Sequence, residues 1–361
     1  MTAWLLRLCV LVQVTSMLFS MHASVRAAED DPTLRREFLR GVRQVGAQLD
    51  KVTVRVKVRT SSRYTGFSKK WLQNARRRNP AAVQKAKKPR ITELECAISG
   101  PRILSSALRP EGTREIRGKN ERYAFAIFLP KGTNRPVVQF LERANGDGAN
   151  DPRIEQHEKR LRSLVFAPYY FSEKPLHELV DQEGFTIRRV YRCDPSQPNL
   201  VRVDFDFVDQ DSAGRPYATY SNSFLILDST NNWALVEDFA DIQSHFNDSH
   251  VISHRTYRLG QQSGPVAYPA LVKEELTWPD DLGTKMEVVW TVRVVASDVA
   301  KEVFFLSHYG LSEPRFERRV FGIAVPSGDS TSGMWLWCFV IGVVCLVFAS
   351  MLICRHLRNQ R

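Results

Sequence analysis

Four carboxylates, Asp204, Asp206, Asp209 and Asp211, fall within the eight residues DFDFVDQD, a density that could hold a calcium ion. Counted from Asp209, Asp211 is third and Gly214 sixth, as in an EF-hand loop. Ala213 and Tyr220 then take the fifth and twelfth positions, where oxygen ligands are needed. The segment therefore reads as a solvated hairpin, with Asp204 and Asp206 on one strand face and Asp209 to Gly214 as the turn. His245, His250 and His254 are the second cluster. In a strand, His250 and His254 share a face but stand roughly 13 Å apart, too far to bind one zinc ion together. His157, His177 and His308 are isolated.

Motifs for nucleophilic or metal-assisted hydrolysis are absent: there is no G-x-S-x-G elbow, no S-x-x-K pair, no H-E-x-x-H and no glycine-rich phosphate loop. No enzymatic activity, metal or cofactor is expected from these patterns. Asn247-Asp248-Ser249 is a formal glycosylation sequon, with meaning only in a eukaryotic secretory pathway.

The elements around these residues indicate where the chain resides. Arg7 followed by the mostly apolar Leu8 to Met21 reads as a signal peptide, too short to span a bilayer. Val25 and Ala27 suit the −3 and −1 positions, so cleavage is expected after Ala27 and residues 1–27 leave the mature chain. Met334 to Cys354 is twenty-one residues without a charge, the length of a membrane helix, with Trp335 and Trp337 as interfacial anchors. Arg355, Arg358 and Arg361 follow it, which by the positive-inside rule puts residues 355–361 in the cytoplasm. Residues 326–333 (PSGDSTSG) form a flexible linker. The expectation is a single-pass protein with its function in residues 28–325, outside the cytoplasmic membrane.

The chain carries a formal charge of +12, unevenly distributed. From Lys51 to Arg90 there are fourteen basic residues and no acid. The densest part, residues 68–90, includes Lys69, Lys70, Arg76, Arg77, Arg78, Lys87 and Lys88. It reads as an exposed basic insertion, able to contact anionic membrane lipid or an anionic envelope polymer. Nucleic acid is not expected as a partner outside the cytoplasm. Only Cys96 and Cys193 lie outside the signal and membrane segments. They can form one disulfide in an oxidising compartment or stand as two buried thiols.

Pro32 to Leu49 repeats Leu34, Phe38, Val42, Val45 and Leu49 at helical spacing. Strand patterns follow. Val52 to Arg59 alternates throughout, as do Val201, Val203, Phe205 and Phe207 with charged neighbours. Residues 123–129, 137–141, 185–191, 217–227, 233–239, 251–259 and 271–278 are strand-like too. Met286 to Ala296 is apolar on both faces, as in a central strand. Between them, Pro152 to Leu164 reads as a helix. A second short helix, capped by Ser172, runs through Leu176, Leu179 and Val180. This order disfavours a parallel α/β sheet. It predicts a mainly β (α+β) domain: a large curved antiparallel sheet or unclosed barrel, one N-terminal helix and two lid helices.

That arrangement resembles the bacterial lipoprotein-carrier (LolA/LolB-like) architecture, an unclosed barrel with helices over an apolar cavity. Locally, Asn120-Glu121-Arg122-Tyr123-Ala124-Phe125, the Leu225-Ile226-Leu227-Asp228 hairpin with Trp233, and Phe305 to Pro314 resemble uncharacterised bacterial envelope proteins with a C-terminal membrane anchor. The resemblance implies binding of an acyl chain, a lipid or a lipidated partner, without free shuttling because the chain is tethered. Candidate groove residues are Val54, Val56, Phe205, Trp290 and Val292. A structural or interaction module of the envelope, using Lys69 to Arg90 as contact surface, is the second reading. A hydrolase without a recognisable motif is the third.

Overall fold

The computed structural model describes residues 30–68, 72–73, 88–109, 111–133, 135–143, 152–211, 213–246, 248–263, 266–280, 284–315, 318–320 and 323–325. The expected signal peptide, the span 334–354, the linker and the tail lie outside the described residues, as do Lys69, Lys70, Arg76, Arg77, Arg78 and Lys87. Lys88 is described and exposed. Among the described residues, no helix is long and apolar enough to cross a membrane.

The chain divides into two units, residues 1–310 and 311–361. The described part of the second comprises residues 311–315 and a short antiparallel pair, Arg318–Val320 with Ile323–Val325.

The first unit opens with α1 (Pro32–Leu49). Asp31 caps it, its carboxylate accepting from the backbone N–H of Thr33 at 2.9 Å and Leu34 at 3.0 Å. Pro32 is tolerated in the first turn, where no intrahelical donor is lost. The buried stripe is the expected one, Leu34, Phe38, Val42, Val45 and Leu49, with two glycines beside it. A Cβ on Gly41 would lie 2.0 Å from Nε1 of Trp233, and one on Gly46 would lie 2.2 Å from the His177 ring. The helix therefore sits close against both aromatic rings.

Thirteen strands form one antiparallel sheet. They are β1 (Thr53–Gly66), β2 (Arg90–Ser99), β3 (Arg102–Leu108), β4 (Arg114–Lys119), β5 (Tyr123–Leu129), β6 (Val137–Arg143), β9 (Phe185–Asp194), β10 (Gln197–Gln210), β11 (Pro216–Asp228), β12 (Ala234–Ser244), β13 (Ser249–Ser263), β14 (Val266–Trp278) and β15 (Thr284–Ala296). Two-residue strands β7 (Tyr170–Phe171) and β8 (Lys174–Pro175) make a separate small hairpin. The sheet order is β6-β5-β4-β3-β2-β1-β15-β14-β13-β12-β11-β10-β9. One meander runs outward from β1 to β6, and a second returns inward from β9 to β15, which pairs with β1. The edges β6 and β9 do not pair, so the sheet stays open.

This topology dictates the helix placement. The chain leaves at one edge, β6, and must re-enter at the other, β9, so the connection crosses the sheet. That connection carries α2 (Pro152–Val165), the β7–β8 hairpin and α3 (Leu176–Leu179). The open antiparallel sheet with one leading and two middle helices is the architecture expected from the sequence. Strands β2, β3 and β4 go beyond the sequence reading. In β2, Glu93 and Glu95 interrupt the apolar positions, and β4 is only six residues long.

Ser172 is not a helix cap. It and Glu173 form the β7–β8 turn, both with positive φ (47° and 67°), and Pro175 stands at the cap position of α3. The Ser172 hydroxyl instead bonds the Tyr220 hydroxyl at 2.8 Å. Phe171, Phe185 and Phe205 pack edge to face and tilted, with centroids about 5 Å apart, and fill the β9–β11 end of the core.

Two of the three sequence stretches carrying the resemblance meet in space, and the third packs on α1. The Asn120 side chain donates to the Phe304 carbonyl at 2.9 Å and accepts from the backbone N–H of Arg122 and Tyr123. The Tyr123 hydroxyl accepts from the Leu306 N–H at 2.9 Å, and Phe125 packs on Tyr309. Trp233 stacks edge-on to Phe38. These contacts hold chain segments together.

Candidate functional site

Strand register decides what the helix-covered face presents. On β1 the inward positions run Val54, Val56, Val58, Thr60 and Ser62, so the face changes from valine to hydroxyl halfway along. On β2 the partners run Ile98, Cys96, Leu94, Thr92 and Arg90, changing at the same row. One cross-strand row is Arg90, Ser62, Val288, Glu274, Arg255 and Asp238, from β2 through β1, β15, β14 and β13 to β12. The neighbouring row is Thr92, Thr60, Trp290, Val272 and Tyr257.

Helix α2 covers these rows without filling the space beneath. A partly enclosed cavity of about 620 Å³ remains. Leu161 and Leu164 of α2 and Leu94, Leu276, Met286 and Val288 of the sheet make most of its apolar wall. Thr60, Ser62, Thr92 and Arg90 border it on one side and Arg255 and Glu274 on the other. The volume lies within the roughly 300–1,000 Å³ of ordinary ligand pockets. A smaller cavity of about 290 Å³ adjoins Ile103, Ala126, Phe140 and Lys119, and His157 belongs to the walls of both.

Polar contacts pin α2 in place. Lys119 bonds Glu158 at 2.6 Å, Arg162 donates to the Gly100 carbonyl at 2.5 Å, and His157 Nε2 bonds the Ser105 hydroxyl at 2.9 Å. Burial, aided by the charges of Arg117 and Arg160, holds His157 down to about 4, so its imidazole is neutral at pH 7. Ser105 is only 3% exposed. The pair resembles a nucleophile and base by type, and its bond ties the helix to β3.

Behind the Glu274 wall lies a buried charged cluster. Arg255 donates to Glu274 at 2.8 Å, and the Ser253 hydroxyl donates to the same carboxylate at 3.0 Å. The Tyr257 hydroxyl donates to Asp238 Oδ2, while Oδ1 is buried without a partner among the described residues. Burial pushes the Asp238 carboxyl up to about 6. Although burial opposes its charge, Arg255 is held protonated by Glu274 and Asp238.

The five expected groove residues divide. Val54, Val56 and Phe205 are fully buried within the packed core, in the same cluster as the stripe of α1. Val292 is 8% exposed and belongs to that cluster too. Trp290 alone borders the cavity. Thr60, Ser62, Thr92 and Arg90 were not singled out from sequence, although the valine-to-hydroxyl change along β1 signals them.

The other candidates separate. Of the two alternatives for the cysteines, neither holds in full: both are free thiols, with seven strands between β2 and β9, but only Cys96 is buried and Cys193 is exposed. Asp204 is buried and held by Arg189 at 2.7 Å and Arg202 at 2.8 Å, not solvated as expected. Asp211 does form the turn, accepting from the N–H of Ala213 and Arg215. His250 pairs with Asp241 at 2.6 Å and His254 with Glu237 at 3.0 Å, each with its own carboxylate on β12. Among the described residues, no three His, Cys, Asp or Glu side chains could hold a metal ion.

No known family model matches this chain, and no curated protein matches it. Among solved structures it is similar to a LolA superfamily protein from Nitrosomonas europaea, at 10% identity and a TM-score of 0.38, over 76% of this chain and 98% of that one. It is also similar to a DUF1329 family protein from Desulfovibrio piger, at 12% identity and a TM-score of 0.37, over 77% of this chain and 99% of that one. Neither likeness carries a residue of the cavity over to this chain.

Proposed function

We propose that this chain is a membrane-tethered, extracytoplasmic binding protein that holds the acyl chain of a lipid or lipidated partner, without catalysing a reaction. The observation that carries the reading is the cavity of about 620 Å³ between α2 and the sheet, walled by Leu161, Leu164, Leu276, Met286 and Val288. Burying about eight methylenes there contributes on the order of 6 kcal/mol before the cost of association, enough for reversible capture. Residence outside the cytoplasm rests on the N-terminal signal pattern and on the span 334–354.

Native mass spectrometry of the full chain, purified in detergent, tests this. The wild type is expected to carry lipid-sized adducts that Val288→Trp, which fills the cavity floor, removes. Equal adducts in both, or none in the wild type, would leave the second reading, an interaction module of the envelope without a small ligand.

A further inference from the structure

The cavity wall is not uniformly apolar, and its polar part is unevenly satisfied. Arg255 and Glu274 neutralise each other at 2.8 Å. Arg90 and Arg160, on opposite sides of the cavity at β2 and α2, have no acidic partner among the described residues. The hydroxyls of Thr60, Ser62 and Thr92 lie in two adjacent rows beside Arg90, and they too lack side-chain partners among the described residues. Glu173, at the β7–β8 turn, is the single unpaired acid on the wall. Unpaired charge on the wall is thus two positive against one negative. Arg90 stands beside the free hydroxyl donors of β1 and β2, Arg160 stands across the cavity on α2, and Leu164, Leu276, Met286 and Val288 supply the apolar remainder.

A hydrocarbon alone would make no use of these donors. A cationic head would meet Arg90 and Arg160. An anionic head satisfies both, because guanidinium and hydroxyl donors converge on carboxylate or phosphate oxygens. Resting on the acyl-binding reading above, we infer that the ligand is a single-chain amphiphile with an anionic head, carboxylate or phosphate. Its head lies between Arg90 and Arg160 beside Ser62 and Thr92, and its tail lies over Val288, Met286 and Leu276.

The test is equilibrium binding of the full chain to four sixteen-carbon probes: palmitate, hexadecyl phosphate, hexadecanol and hexadecyltrimethylammonium. The anionic probes are expected to bind about tenfold tighter than hexadecanol, the contribution of one charge-assisted hydrogen bond, and the cationic probe weakest. The order of palmitate and hexadecyl phosphate identifies which anion fits. In the double variant Arg90→Gln, Arg160→Gln the anionic advantage should vanish while hexadecanol affinity stays unchanged, which also reports an intact cavity. Equal affinity of wild type for anionic and neutral probes overturns the head assignment and leaves the cavity reading standing. Failure of all four probes to bind overturns the cavity reading itself.

Discussion

Replacing Asp238 with asparagine tests the buried cluster behind the cavity. Asp238 is fully buried on β12, and burial raises its carboxyl from 3.8 to about 6. A raised carboxyl means that the folded chain holds this proton more tightly than the unfolded chain. Stability from this group therefore falls as pH rises from about 4 to about 6 and stays low above that. The interval between 3.8 and about 6 corresponds to on the order of 3 kcal/mol. Asparagine keeps an oxygen to accept from the Tyr257 hydroxyl and leaves Arg255 with Glu274, but it cannot ionise. Denaturant unfolding of wild type and Asp238→Asn at intervals from pH 4 to pH 8 measures the difference. The variant should gain on the wild type by on the order of 3 kcal/mol across that range, most of it below pH 6. Parallel stability curves would show that Asp238 stays ionised when buried, refuting the reasoning.

Two further outcomes follow from packing and thiol burial. Asn120→Ala removes the bond to the Phe304 carbonyl and the acceptor for Arg122 and Tyr123, so unfolding should become easier by roughly 2–3 kcal/mol, with faster amide exchange in residues 301–309 as the local signature. Peptide mapping after maleimide treatment of the native protein should find Cys193 modified and Cys96 untouched until the chain unfolds, because burial excludes reagent and pushes the Cys96 thiol up to about 12.

Local signals sufficed where one element determines its own outcome. The stripe of α1, the turn at Asp211 and the alternation of β1 and β10 each follow from spacing within a few residues. The placement of the middle helices was legible in kind but not in reason, since only the strand order shows that the chain must cross from the β6 edge to the β9 edge. The short strands β2 to β4 escaped notice because their inward residues are few and mixed. Cross-strand pairing, not propensity, holds them in the sheet. Asp204 looked solvated because Arg202 and Asp206 on its strand face are charged, yet Arg189 from β9 and Arg202 from β10 allow it to be buried.

The sequence by itself determined that the domain is mainly β with three helices and has no recognisable catalytic motif. Tertiary structure alone decided which apolar residues fill the core and which border a space. Val54, Val56 and Trp290 look alike in the alternating pattern, because inward is the only property that a period of two encodes. Depth under a covering helix is a property of the third dimension. Core packing closes over Val54 and Val56, whereas α2 crosses the rows of Thr60, Ser62, Val288 and Trp290 and leaves about 620 Å³ beneath it.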